Sequence, residues 1–164
     1  MIITLCGFMG SGKSTVGSIL AEKLGWEFID LDAYVEHKKG MAPGRIIETE
    51  GEEAFRALEA ECLRDVVIMH QLSGTDLVLA LGGGTVTIGS VREIIFEQTT
   101  CVWLKAEMGT ILERTGSDSQ QRPLMSEERY DERIPLYSMA LYSMETDGKS
   151  PAQVAGDVEL LVCE

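Results

Sequence analysis

The chain has 164 residues, an apolar fraction of 45% and a formal charge of −13, from 27 acidic residues against 14 lysines and arginines. This balance argues against a nucleic-acid partner, which needs a basic surface, and no apolar run approaches the roughly 20 residues that cross a bilayer. The N-terminus also has no basic segment ahead of an apolar one. We therefore expect one cytoplasmic domain over residues 1–164, a monomer with no membrane or nucleic-acid partner.

Short apolar runs alternate with helical patterns along the chain. The predicted strands are Ile2–Cys6, 27–31, 77–81, 101–104 and 141–145. The predicted helices are Lys13–Leu24, 52–72, 91–96, 108–114, Glu127–Tyr137 and Pro151–Val162. Strands that alternate with helices predict an α/β layer fold with a largely parallel sheet.

The stretch GFMGSGKST at residues 7–15 lies between the first predicted strand and the first predicted helix. Gly7, Gly12, Lys13 and Ser14 match the P-loop pattern, in which backbone N–H groups and a helix N-terminus surround phosphate. Lys13 would reach the terminal phosphates, and the Ser14 hydroxyl would bind Mg²⁺. The alternative is a glycine-rich turn without a ligand, which this spacing does not favour.

The stretch FIDLD ends the second predicted strand with Asp30 and Asp32. Side chains alternate along a strand, so both carboxylates would project to one side at the edge where open α/β sheets bind ligands. Alternatively, Asp32 caps a helix over residues 33–39. Next to a P-loop, a role toward Mg²⁺ or an acceptor hydroxyl is the favoured interpretation.

Two further stretches suggest a second pocket. Arg56 lies at the edge of an apolar helical stripe, where it either pairs with Glu52 and Glu59 on the surface or holds a substrate carboxylate in a fork. By itself the surface pairing is the simpler interpretation. Three successive glycines at residues 82–84 predict backbone exposed for close approach of a ligand.

Residues 115–133 form the least apolar stretch and predict a mobile polar segment that carries Arg122 and Arg133. Arginines on a closing loop neutralise transition-state charge and exclude water, although a charged exposed loop is the simpler alternative. The four cysteines are widely spaced and predict buried free thiols rather than a metal or redox site.

Together these segments resemble the shikimate kinases, a family in the nucleoside monophosphate kinase-like branch of the P-loop kinases. The resemblance runs nearly end to end. It rests on GFMGSGKST, DLD, GEEAFRALE, LALGGG, RTG (114–116), RPL (122–124), RIPLY (133–137) and KSP (149–151).

The resemblance implies transfer of a phosphoryl group from ATP to the 3-hydroxyl of shikimate, with Mg²⁺ as cofactor. It also implies a three-layer αβα P-loop kinase fold with a five-stranded parallel sheet of order 2-3-1-4-5. A mobile lid would occupy roughly residues 115–127, and a helical substrate-binding region would occupy roughly residues 33–62.

By matched position, the resemblance also implies the site residues. The catalytic residues would be Lys13, Asp32 and Arg122. ATP would bind to Gly10, Ser11, Gly12, Lys13, Ser14, Thr15, Arg114, Arg122, Lys149 and Pro151. Shikimate would bind to Asp32, Arg56, Gly82, Gly83, Gly84 and Arg133. Ser14 and, through water, Asp30 would hold Mg²⁺.

Two departures from the family pattern keep alternatives open. Ile47 stands where the family commonly has phenylalanine, and residues 122–133 form a shorter stretch than usual, which predicts some ATP hydrolysis without shikimate. The alternatives are a kinase of the same fold for another hydroxylated carboxylate and a nucleotide-binding protein with a degenerate site.

Overall fold

The computed structural model describes residues 1–107, 109–111 and 127–163, apart from the side chains of residues 127 and 128. Its strands are β1 (Ile2–Cys6), β2 (Glu27–Asp30), β3 (Leu77–Ala80), β4 (Thr100–Lys105) and β5 (Tyr142–Glu145). Its helices are α1 (Lys13–Leu24), α2 (Leu31–Lys39), α3 (Pro43–Glu50), α4 (Glu52–Ser73), α5 (Gly89–Gln98), α6 (Glu127–Tyr137) and α7 (Pro151–Val162). A 3₁₀ turn follows β3 at Thr85–Thr87.

The five strands form one sheet in the order β2-β3-β1-β4-β5, and every neighbouring pair is parallel. The central strands β1 and β3 are buried along their whole length. Such continuous apolar strands are typical of a parallel sheet that is covered on both faces. The predicted α/β class, the parallel sheet and the order 2-3-1-4-5 are confirmed.

The alternation of side chains along β1 divides the core into two layers. Ile3 and Leu5 pack with Val16, Leu20 and residues of α7 on one face of the sheet. Ile2 and Cys6 belong to the layer on the other face, which α4 and α5 cover. The helices α2 and α3 pack against α4. This is the three-layer αβα arrangement that the resemblance implies.

The second predicted strand is one residue too long. It ends at Asp30, whose side chain accepts a hydrogen bond from the Ala33 N–H at 3.0 Å and so caps α2. Asp32 therefore lies in the first turn of α2, and the predictions that it extends a strand or caps a helix are both wrong. The helix begins earlier because Asp30 already satisfies one of its free N–H groups.

The short helix α3 falls inside residues 33–62 but was not predicted as a separate element. Pro43 occupies its first turn, and the helix ends at Glu50, before the cap residue Gly51, which has a φ of 94°. Proline fits the start of a helix because its missing N–H would have no partner there. The sequence around Gly40, Pro43 and Gly44 looks like a loop because these residues are helix breakers elsewhere.

Three of the four cysteines are buried free thiols, as predicted, but Cys163 is exposed. It follows the last turn of α7 as its C-cap residue. His70 has a structural role, because its ring nitrogens lie 2.9 Å from the Val66 carbonyl and 2.8 Å from Glu27.

The helices of the described residues include none that is long and apolar enough to cross a membrane. The predicted helix at 108–114 is described only at residues 109–111, which are helical. The predicted lid at 115–127 lies outside the described residues except for its last position.

The two leucines Leu63 and Leu72 on α4 test the placement of the core. Leu63 is fully buried, whereas Leu72 is 84% exposed. Leu63→Ala removes packing contacts and leaves a cavity, so we expect it to lower the free energy of unfolding by about 2–5 kcal/mol. Leu72→Ala is the matched control, with an expected change within about 0.5 kcal/mol in denaturant unfolding. Equal losses in both variants would contradict the described packing of α4.

Candidate active site

A cavity of about 920 Å³ lies at the carboxyl edge of the sheet, where the segments after β1, β2, β3 and β5 meet. The predicted site residues that line it are Gly10, Ser11, Gly12, Lys13, Ser14, Thr15, Asp30, Asp32, Arg56, Gly82, Gly83, Gly84, Arg133, Lys149 and Pro151. Arg114 and Arg122 lie outside the described residues. The structure thus brings every described member of the predicted site into one cavity.

The P-loop adopts a backbone that its glycines require. Gly7, Gly10 and Gly12 have φ values of 145°, 84° and 94°, in the region that other residues rarely adopt. A Cβ atom on Gly7 would also lie 2.6 Å from the carbonyl oxygen of Leu104. The loop can therefore turn tightly between β1 and α1 and direct its amides into the cavity.

Two polar side chains in this loop are buried. The Lys13 ammonium donates to the carbonyl oxygens of Gly7 at 2.7 Å and Phe8 at 3.0 Å. The Ser11 Oγ is buried without a hydrogen-bond partner among the described residues. A buried cation and an unsatisfied hydroxyl beside a helix N-terminus suit an anionic ligand.

Ser14 and Asp30 place two oxygen ligands together at the edge of the loop. The Ser14 hydroxyl donates to one carboxylate oxygen of Asp30, while the other oxygen caps α2. Within the described ranges, no cluster of three His, Cys, Asp or Glu side chains could form a metal cage of its own. One carboxylate and one hydroxyl still suit Mg²⁺, which proteins usually hold together with phosphate oxygens and water.

Asp32 has an unusual protonation equilibrium for an aspartate. Its burial raises its pKa to about 6, and the neighbouring carboxylates Glu59 and Asp30 contribute in the same direction. Lys13 and Arg56 act in the opposite direction, because a positive charge favours the ionised form. Asp32 therefore lies within the electrostatic reach of both the P-loop lysine and the arginine of α4.

Arg56 is both paired and part of the cavity wall. Its Nη1 lies 2.7 Å from Glu59, and its Nη2 lies 3.7 Å from Glu52. Its side chain is only 15% exposed. The surface interpretation of Arg56 is correct about the acidic partners and wrong about exposure, and the fork that holds a substrate carboxylate stays a prediction.

Glu59 holds this arginine from a fully buried position. Its second oxygen accepts a hydrogen bond from the Thr85 hydroxyl at 2.7 Å, so both carboxylate oxygens have partners. A buried carboxylate is stable only when it is paired in this way. Glu59 consequently fixes the guanidinium of Arg56 in one place.

Arg133 supplies a second buried cation. It is 4% exposed, lies 5.5 Å from the Phe8 ring centroid, and has an Nη1 without a hydrogen-bond partner among the described residues. Burial lowers its pKa below the usual value for arginine, with a smaller contribution from Arg56. A buried guanidinium in the wall of a cavity suits a bound carboxylate.

The triple glycine lies against these charged groups. A Cβ atom on Gly82 would lie 2.5 Å from Glu59 Oε2 and 2.8 Å from Asp32 Oδ1, and one on Gly84 would overlap the guanidinium of Arg56. At Gly82 and Gly84 the close approach is thus made by side chains of the pocket, and the predicted approach of a ligand stays a prediction. The carbonyl of Gly83 accepts a hydrogen bond from the buried Tyr137 hydroxyl.

The opposite end of the cavity is bounded by Lys149, Pro151, Val154 and Thr146. Lys149 pairs with Asp157 at 3.1 Å, which holds its side chain along α7.

Several residues of the site were not singled out from the sequence. They are Glu59 as part of the pocket, Thr85, Tyr137, Thr146, Val154 and the rim at residues 42–48 apart from Ile47. The sequence did contain a signal for Glu59 and Tyr137, because each lies one helical turn after an arginine that was predicted to belong to the site. Apart from Ile47, which the family resemblance indicated, the rim carried no comparable signal because α3 itself was not predicted.

Comparisons with known proteins agree with this geometry. A family model described as shikimate kinase matches residues 9–160. The chain is 39% identical to the shikimate kinase of Moorella thermoacetica, over 96% of this chain and 91% of that protein. It is 36% identical to the shikimate kinase of Persephonella marina, over 95% of each.

Solved structures of shikimate kinases also superpose on the chain. The enzyme from Acinetobacter baumannii, solved in complex with shikimate, has a TM-score of 0.86 and 35% identity over 99% of this chain and 93% of that one. The enzyme from Aquifex aeolicus has a TM-score of 0.81 and 31% identity over 99% of this chain and 96% of that one. By fold, site and sequence, the chain belongs to the shikimate kinase family.

Proposed function

We propose that this chain transfers the γ-phosphoryl group of ATP to the 3-hydroxyl of shikimate, giving shikimate 3-phosphate and ADP. The main support for this proposal is that two regions suited to anions lie in the same cavity. One is the P-loop with Lys13, and the other is the buried pair Arg56 and Arg133. Asp32 is influenced by the charges of both Lys13 and Arg56.

The nucleotide occupies the P-loop side of the cavity. Residues 10–15 surround its phosphates, with Lys13 at the terminal ones. Lys149 and Pro151 flank the adenine together with Arg114. Ser14 and, through water, Asp30 would hold Mg²⁺, which would neutralise charge on the phosphates of the nucleotide.

The acceptor occupies the arginine side. Arg56 and Arg133 hold its carboxylate, because two fixed guanidinium groups match a carboxylate in geometry and charge. The backbone of Gly82, Gly83 and Gly84 lies against the ring. Asp32 contacts the reacting hydroxyl and receives its proton.

Phosphoryl transfer needs little from the protein beyond positioning and charge neutralisation. The hydroxyl oxygen forms a bond to the γ-phosphorus as the bond to the β,γ-bridging oxygen breaks, and the proton passes to Asp32. Lys13 and Arg122 neutralise the charge that develops on the transferring group. These three residues form the proposed catalytic set.

The proposed activity also implies how the chain is organised into a domain, a lid and a substrate-binding region. Residues 1–164 form one kinase domain with a lid near residues 115–127 and a substrate-binding region near residues 33–62. We propose that the protein acts as a cytoplasmic monomer without a nucleic-acid or membrane partner.

A second candidate is a kinase of the same fold that prefers another hydroxylated carboxylate. It is favoured by Ile47, which lines the cavity where the family commonly has the larger phenylalanine. A smaller side chain at this wall leaves more room for an acceptor of another shape.

An ADP-release assay tests the proposal. With MgATP and purified protein, we expect shikimate to raise ADP release well above the background without acceptor. Gluconate, an open-chain hydroxylated acid, is the comparison acceptor and should give little product. Faster turnover of gluconate would favour the second candidate, and tight ATP binding without ADP release would favour a degenerate nucleotide-binding protein. The background rate itself reports the uncoupled hydrolysis expected from the short stretch at 122–133.

The pH dependence of kcat/KM tests Asp32 as the base. Only the ionised carboxylate accepts a proton, and the pKa of Asp32 is raised to about 6. We expect kcat/KM for shikimate to be constant above this pH and to fall about tenfold per unit below it. An ordinary aspartate would place this fall near pH 4. Asp32→Asn should lower kcat at least ~100-fold while ATP affinity stays nearly unchanged.

The control for Asp32→Asn is Asp65→Asn, the same replacement at a position that is 51% exposed on α4. It should retain wild-type turnover and the same pH profile. Near-normal turnover in Asp32→Asn would remove this residue as base and acceptor ligand.

Replacing Arg56 with lysine tests the carboxylate contact. An ammonium cannot form the two-pronged contact of a guanidinium, so Arg56→Lys should raise KM for shikimate about 10- to 100-fold. The KM for ATP should change little. Arg64→Lys on the same helix, where the arginine contacts Ser90 at 2.9 Å, is the matched control. An unaltered KM for shikimate in Arg56→Lys would contradict the proposed contact.

A further inference from the structure

Arg45 lines the cavity on its acceptor side, within the rim formed by residues 42–48. Unlike Arg56 and Arg133, its side chain is exposed. No acidic side chain of the described ranges lies within ion-pair distance of it. Glu48, one turn further along α3, is also exposed, so the rim presents the unpaired positive charge of Arg45 beside a negative one at the entrance of the acceptor pocket.

The position of Arg45 in α3 does not stabilise that helix. It lies in the first turn, near the positive end of the helix dipole, where a cation is unfavourable. The first turn contains no acidic residue, and the cap residue Ala42 offers no side-chain hydrogen bond. Helix stability consequently gives no reason for an arginine here.

The charge of the cavity depends on this residue. The described lining residues include five cations, Lys13, Arg45, Arg56, Arg133 and Lys149, and four anions, Asp30, Asp32, Glu48 and Glu59. Without Arg45 their formal charges would cancel. The chain as a whole carries −13, so it repels an anionic acceptor in the surrounding solvent.

The other cations are poorly placed to attract a distant anion. Arg56 is paired with Glu59, and Lys149 is paired with Asp157. Lys13 and Arg133 are buried. Among the described cations of the lining, Arg45 combines exposure with the lack of an acidic partner.

We propose that Arg45 captures the anionic acceptor at the mouth of the cavity. This inference rests on the proposed function of the acceptor side. The exposed guanidinium attracts the carboxylate of a small hydroxylated acid and raises its local concentration beside the pocket. The acid then binds to Arg56 and Arg133, and Arg45 takes no part in the chemical step.

Steady-state kinetics at two ionic strengths test the proposal. We expect Arg45→Gln to lower kcat/KM for shikimate about 3-fold and Arg45→Glu about 10-fold at 20 mM ionic strength, because one cation supplies only part of a field that can raise capture by 10-fold or more. The value of kcat at saturating shikimate should stay the same. At 0.5 M salt, where the Debye length is ~4 Å, the variants should converge on the wild type.

The control is the same pair of charge changes at Lys23. This exposed residue lies in the last turn of α1, about 15 Å along the helix axis from Lys13. Lys23→Gln and Lys23→Glu alter the net charge equally and should leave kcat/KM for shikimate unchanged. Arg45→Glu places an acid in the first turn of a helix, so its thermal midpoint should not fall.

Three results would overturn the proposal: wild-type kcat/KM in Arg45→Gln at low salt, an equal loss in the Lys23 variants, or a loss that high salt does not remove. If the wild type itself fails to phosphorylate shikimate, the proposed function fails and this inference fails with it. Normal turnover with an unchanged Arg45→Gln leaves the proposed function standing and removes only the capture role.

Discussion

The side of the cavity that we propose for the acceptor depends on one buried carboxylate. Glu59 is inaccessible to solvent, and its two oxygens are held by Arg56 and Thr85. A charge in this position is tolerated only because both oxygens are satisfied, and it in turn fixes the guanidinium that faces the cavity. The same carboxylate excludes a side chain at position 82, since a Cβ atom there would lie 2.5 Å from it. The helix α4, the turn after β3 and the arginine of the pocket are therefore parts of one arrangement.

Charge is distributed very unevenly in this protein. The chain carries a large negative charge, yet the buried cations Lys13 and Arg133 and the backbone of the P-loop line the cavity. Because fields are strong inside a cleft with low-dielectric walls, a few well-placed cations outweigh many acidic residues on the outer surface. The acidic composition indicates the absence of a broad basic surface, and it says little about a site of this size.

The parts of the structure that could be predicted from the sequence are those with local physical causes. The P-loop follows from glycines at fixed spacing, and the strands follow from apolar runs. The order of the strands came from the family resemblance, since apolar runs do not specify which strands pair. The start of α2 was missed because two aspartates compete for the cap and only Asp30 occupies it. The place of Glu59 in the pocket depends on Thr85, which is 26 residues away in the chain, so no local pattern contains it.

Asp30 illustrates how tightly a single position can be constrained. One of its oxygens caps α2 through the Ala33 N–H, and the other accepts from Ser14 at the end of the P-loop. Asparagine at this position could still cap α2 but would lack the negative charge. Serine could also cap the helix, but its side chain is shorter. Glutamate keeps the charge but adds a methylene group, which displaces both contacts. Two requirements therefore restrict substitutions at position 30: the residue must cap α2, and it must orient the Ser14 hydroxyl.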